Sequence, residues 1–152
     1  MLRIATAADF CGTRWQVNAV MIPTPGGRAY LMPVARVMQL YRQHCGTHAA
    51  AVSRAPEGLD VAASIRGETL FLHVANTHRA QSSRTQLQVD NRRIMRGRVW
   101  EIVDDPAVEV SQLNCDQVMK TCEKPLPHDG VWEFPAASVS AVELQLEPSL
   151  NG

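Results

Sequence analysis

The run Thr69-Leu70-Phe71-Leu72-His73-Val74-Ala75-Asn76 decides the fold. Leu70, Leu72 and Val74 fall on alternate positions, and Phe71 and His73 fall between them. In an extended chain successive side chains point to opposite faces, so the run predicts a strand with two distinct faces. Just upstream, Leu59-Asp60-Val61-Ala62-Ala63-Ser64-Ile65 has the same period of two, and Arg66-Gly67 separates the two runs as a turn. The pair reads as a β-hairpin. Working outward, further strands are expected at Thr85–Val89, Gly97–Val103 and Ser138–Leu146; in the last, Val142, Leu144 and Leu146 alternate with Glu143 and Gln145. Strands at this spacing predict an antiparallel β-sandwich, jelly-roll-like, in a mainly β chain.

One helix precedes them. Pro33-Val34-Ala35-Arg36-Val37-Met38-Gln39-Leu40-Tyr41-Arg42-Gln43-His44 carries Val34, Val37, Met38 and Tyr41 at i, i+3, i+4 and i+7, an apolar stripe meant for a core. Pro33 suits the first turn, Arg42 and His44 suit the last, and Gly46 is the expected stop. Before it lie the strand-like run from Trp15 to Ile22 and the break Pro23-Thr24-Pro25-Gly26-Gly27. Strand followed by helix is the unit of a β/α barrel, and one such unit cannot bury its strand on both faces. The expected division is a strand–helix segment over 1–47 and a sandwich over 48–152. The polar stretch from Asp104 to about Gly130 reads as a long loop, with a short helix expected within Gln112–Thr121.

Composition excludes several classes. The 152 residues hold 15 basic and 15 acidic side chains, so no net field attracts phosphate backbones or anionic lipid. Nucleic-acid and membrane partners are not expected, and the N-terminus lacks a signal-peptide pattern. The compartment is left undetermined. Hydrophobic residues at 45% argue against a disordered chain. Cys11, Cys45, Cys115 and Cys122 include no Cys-x-x-Cys pair, so no metal site and no cofactor is expected; four free thiols and a Cys115–Cys122 disulfide both stay open.

Taken together, Gln16-Val17-Asn18-Ala19-Val20-Met21-Ile22, the Pro/Gly break, Pro33, and Val37-Met38-Gln39-Leu40-Tyr41-Arg42-Gln43-His44-Cys45-Gly46 resemble the barrel end of α-L-arabinofuranosidases of glycoside hydrolase family 51. The similarity continues through Leu59-Asp60-Val61-Ala62-Ala63-Ser64, the run from Leu70 to Asn76, and Phe134-Pro135-Ala136-Ala137-Ser138-Val139-Ser140-Ala141-Val142-Glu143-Leu144, which is similar to the final strand of that family's C-terminal sandwich. The resemblance implies a last barrel strand and helix followed by a non-catalytic C-terminal β-sandwich, whose partner is the catalytic barrel of the same parent protein. The parent would be a retaining glycoside hydrolase. Its two catalytic Glu would lie at the ends of barrel strands 4 and 7, upstream of Met1. The family's habit also implies a homo-oligomer.

Within the chain, retaining chemistry would need two carboxyls about 5–5.5 Å apart. None of Glu57, Glu68, Glu101, Glu109, Glu123, Glu133, Glu143 and Glu147 stands in the motif context of a barrel-strand end, and Glu68, Glu101 and Glu143 are placed on the solvent face of their strands. His73 reads as a satisfied structural or surface histidine. The expected substrate-binding residues are Trp15, Gln16 and Asn18: an aromatic plane with amides suits a sugar ring, here part of an arabinose-containing oligosaccharide. The plainer reading has Trp15 cover a hydrophobic seam and Asn18 satisfy backbone groups. Two other functions compete: an independent carbohydrate-binding module acting through Trp15, Trp100 or Trp132, and a stand-alone interaction domain pairing through edge strands.

Overall fold

The computed structural model describes residues 10–13 and 18–148. Alternation at Leu59–Arg66 (β5) and Thr69–Asn76 (β6) produces the expected hairpin, with Ile65 opposite Leu70 and Val61 opposite Val74. Gly67, at φ 57, supplies the left-handed step that a two-residue connection needs. The hairpin sits in a six-stranded sheet of order β4-β5-β6-β11-β8-β9, completed by His48–Ala50 (β4), Ile94–Val103 (β8), Thr121–Pro125 (β9) and Ser138–Leu146 (β11). All its neighbours are antiparallel. A two-stranded sheet, Ser83–Gln86 (β7) with Val131–Phe134 (β10), lies over one face. The described residues are mainly β with one helix, as expected, and the sandwich layers are unequal.

The core between the layers follows from strand parity. Leu59, Val74, Val99, Val142, Leu144 and Leu146 point inward and bury against Phe134 and Leu126. The opposite face of the same sheet carries Ala141 and Ile102, and there the helix Pro33–Gln43 (α1) seats Leu40. The central strand β11 is therefore covered on both sides, which is why Ala141 and Val142, adjacent in sequence, are both fully buried.

A small sheet precedes the helix: Cys11–Gly12 (β1) pairs parallel with Val20–Met21 (β2), which pairs antiparallel with Tyr30–Leu31 (β3). Of the strand-like run from Trp15 to Ile22, residues 15–17 lie outside the described residues. Gly12 is packed so closely that a Cβ there would come within 2.1 Å of Asn18 Nδ2.

Four expectations need correction. The helix does not bury the stripe Val34, Val37, Met38, Tyr41 as a unit. Ala35 and Leu40 are its buried residues, Leu40 at 2% exposure, whereas Val34 is 38% and Met38 45% exposed. Gly46 is not a left-handed stop, because the helix caps at His44. It is required for close approach: a Cβ on it would lie 2.5 Å from the backbone nitrogen of Ile65. No helix forms at 112–121. There Asn114 Oδ1 accepts from Ser111 N (2.7 Å) and its Nδ2 donates to Glu109 O (2.9 Å), so a side chain takes groups that a helix would use. Lastly, the polar stretch hides β9, an edge strand whose five residues are all exposed and so carry no alternating signal.

Candidate functional site

The densest cluster of aromatic and histidine contacts lies at the seam between the strand–helix segment and the sandwich. At the end of α1, Tyr41 stacks on His73 with ring centroids 4.1 Å apart, and His44 stacks on Trp100 at 3.9 Å. His73 Nε2 lies 2.7 Å from His44 O, and Tyr41 donates its hydroxyl to Val74 O at 3.2 Å. Burial pushes the Tyr41 phenol up to about 12. His44 Nδ1 meets Glu143 Oε1 at 2.9 Å. His73 is thus a structural histidine, as its place opposite Leu72 suggested, and it fastens the helix to the sheet.

The loop after β8 fastens the helix from its other side. Arg36 donates to Cys115 O at 2.9 Å, and Arg28 pairs with Asp116. The guanidinium of Arg28 holds the Asp116 carboxyl below the usual carboxylate range. Cys115 is buried under this contact and all four cysteines are free thiols, which settles the choice left open by their spacing. Between the loop at Pro106–Val110 and the strand–helix junction at Met21, Tyr30 and Val34 lies an open groove of about 750 Å³.

Of the expected substrate-binding residues, Trp15 and Gln16 lie outside the described residues. Asn18 is buried, 1% exposed, and its Oδ1 has no hydrogen-bond partner among the described residues. Trp132 is committed elsewhere: it packs against the sandwich core and donates Nε1 to Glu101 at 2.8 Å.

Glu101 itself corrects an expectation. Its side chain is 1% exposed and points into the sandwich, where Lys124 Nζ meets its other oxygen at 2.9 Å. The register explains the inversion, since Glu101 lies opposite buried Ser140 and is two residues on from Val99. Among the other carboxylates, Glu68 pairs with Arg92, Glu123 with Arg98, Glu143 with His44, and Glu133 accepts from Ser82. Each is held by a separate partner. Among the described residues no cluster of three or more His, Cys, Asp or Glu is placed to hold a metal ion, and no helix is long and apolar enough to cross a membrane. Sequence reasoning missed the Glu101–Lys124–Trp132 cluster because Lys124 lies on the unrecognised strand β9; a charged residue amid alternating apolar positions of β8 was the available signal.

No protein-family model matches the chain, and no curated protein matches it with significance. Solved structures do. A crystal structure of an arabinofuranosidase superposes with TM-score 0.69 at 20% identity, over 84% of this chain and 31% of that one. The family 51 α-L-arabinofuranosidase from Thermotoga petrophila gives TM-score 0.65 at 22% identity over the same shares. A family 44 xyloglucanase from Paenibacillus polymyxa gives 0.54 at 15%, over 74% of this chain and 22% of that one. The chain therefore has the fold of part of the family 51 arabinofuranosidases and spans less than a third of their length. At the level of fold, this bears out the resemblance read from its residues.

Proposed function

We propose that the chain is a non-catalytic β-sandwich domain of a glycoside hydrolase resembling α-L-arabinofuranosidases, and that its strand–helix segment docks it on a catalytic barrel that it stabilises. The two apolar sides of α1 carry this reading. One side is used: Leu40 and Ala35 are buried, and Tyr41 and His44 are clamped to the sheet. The other presents Val34 and Met38 to solvent, and Ile22 and Phe10 of the preceding segment are exposed as well. Apolar groups gathered on one segment favour burial by about 25 cal/mol per Å², and an additional packed layer would supply it. The likeness to barrel-bearing hydrolases supplies the layer's identity. Trp132, whose Nε1 is bonded inside the domain, does not favour an independent sugar platform.

Two measurements test the proposal. The purified 152-residue chain is expected to hydrolyse no aryl α-L-arabinofuranoside above a mock preparation; turnover that disappears in a Glu→Gln variant of this chain would refute a non-catalytic role. The sequence upstream of Met1 is then read, and any barrel encoded there is co-expressed as a separate chain. Co-purification that is lost in Met38→Asp, with the domain's own melting unchanged, is expected. A barrel that ignores the domain, or binds Met38→Asp equally well, sinks the docking surface.

A further inference from the structure

We infer that the part of the sheet left uncovered beyond the C-terminal end of α1 is a binding site for a single sugar ring bearing a carboxylate. The identification of the ligand as a sugar rests on the reading proposed above; the preference for a carboxylate rests on the site's own charges. Three adjacent strands build it. Gln145 of β11 lies between Thr69 of β6 and Arg96 of β8, and in the next row on the same face Glu143 stands beside Arg98. Trp100 closes the row after that, and the six side chains line a cavity of about 230 Å³. That is less than the roughly 300–1,000 Å³ of sites for drug-sized ligands, so one ring is the size it suits.

The lining is held in place by stacking and hydrogen bonds. Trp100 is stacked on His44, and Glu143 is fixed by the same histidine. Gln145 accepts from Thr69 Oγ1 at 3.2 Å and donates to Glu68 O at 3.4 Å. Such fixing lowers the entropy lost when a ligand binds. The charges favour an anion. Arg98 is paired with Glu123 at 2.7 Å, but Arg96 is exposed and has no ion pair among the described residues. Two residues apart on one strand, the two arginines stand about 7 Å from each other. A guanidinium fork matches a carboxylate in two-point contact. Glu143 in the same cavity disfavours a phosphate dianion and offers an acceptor to hydroxyl groups. Trp100 offers apolar ring surface to the C–H groups of a sugar.

The test is titration of the 152-residue chain, followed by amide chemical shifts, with glucuronate and galacturonate, with glucose and arabinose as neutral arms, and with acetate as a bare carboxylate. Shifts centred on Arg96, Trp100 and Gln145 are expected, with a uronate bound at least about tenfold more tightly than a neutral sugar. Arg96→Gln is expected to weaken uronate binding about tenfold or more, the effect of removing one charged hydrogen-bonding group. Arg93→Gln, outside the cavity, should change nothing, and melting curves should be unaltered in both variants. Equal binding of neutral and acidic sugars, or retention of uronate affinity in Arg96→Gln, overturns the inference. So does acetate binding as tightly as the uronates, which would leave only an anion site. None of these outcomes bears on docking, which is read from hydrolysis and co-purification.

Discussion

Asn76 fastens the two layers of the sandwich, and replacing it with Asp tests whether its side chain does so by donation. The residue ends β6 and is buried. Its Nδ2 faces three backbone carbonyls: Gln81 O at 2.9 Å, Phe134 O at 3.1 Å and Pro135 O at 3.0 Å. Its Oδ1 accepts from His78 N at 3.0 Å. Asn76→Asp keeps the shape and the acceptor while turning a two-hydrogen donor into a charged acceptor. Losing two bonds costs about 2 kcal/mol, and leaving buried groups unsatisfied adds about 1–3 kcal/mol, for a total near 4 kcal/mol. Against the 5–15 kcal/mol typical of a domain, this is a large fraction. It should lower Tm by about 8–16 °C for a chain of this size. A buried aspartate facing carbonyls also has its pKa raised above the unfolded value near 3.9. A proton on the carboxyl restores one donor, so the deficit should be smallest below about pH 4. It should grow as pH rises through the raised folded pKa. Urea unfolding of the parent, Asn76→Asp and Asn76→Ala from acid to neutral pH measures this, with the alanine deficit expected to be smaller at pH 7 and flat with pH. An aspartate deficit below about 1 kcal/mol at pH 7, or one independent of pH, would refute the reasoning.

Three further outcomes are expected. Leu40→Ala should cost about 2–5 kcal/mol in chemical unfolding because it empties the helix seat on Ala141 and Ile102, whereas Met38→Ala should stay within about 0.5 kcal/mol in the isolated domain. The Tyr41 phenolate should appear only as pH approaches about 12, where burial has moved it, and its absorbance should appear earlier once the chain is unfolded. Because the folded pKa lies above the ordinary value of about 10, this contribution to stability is complete below that pH and is lost between about 10 and 12. Thiol labelling under native conditions should modify Cys11 and Cys122 rapidly and leave Cys115 protected until the chain unfolds.

Much of the fold was legible because strand parity is written locally. The hairpin of β5 and β6 and the bounds of β11 follow from alternation and one glycine, and the helix follows from its period and Pro33. Strand β9 was illegible for a physical reason: an edge strand exposed along its whole length buries no side chain and needs no pattern. The seam was legible only in part. His73 could be assigned to the face opposite Leu72, but its stacking on Tyr41 joins residues 32 positions apart, which no local period encodes.

By itself the sequence determined the β5–β6 hairpin, the bounds of β11, where the described helix lies, and that its composition suits a neutral folded domain. Only the tertiary structure decided which side of each element is inside. Glu101 moved from the solvent face to the sandwich interior because Lys124 and Trp132 satisfy its carboxylate there. The helix buried Leu40 instead of Val34 and Met38 because Ala141 and Ile102 offered it a seat. Periodicity gives an element its faces, but the choice among them depends on partners brought together from distant parts of the chain, and one apolar side of α1 is left exposed.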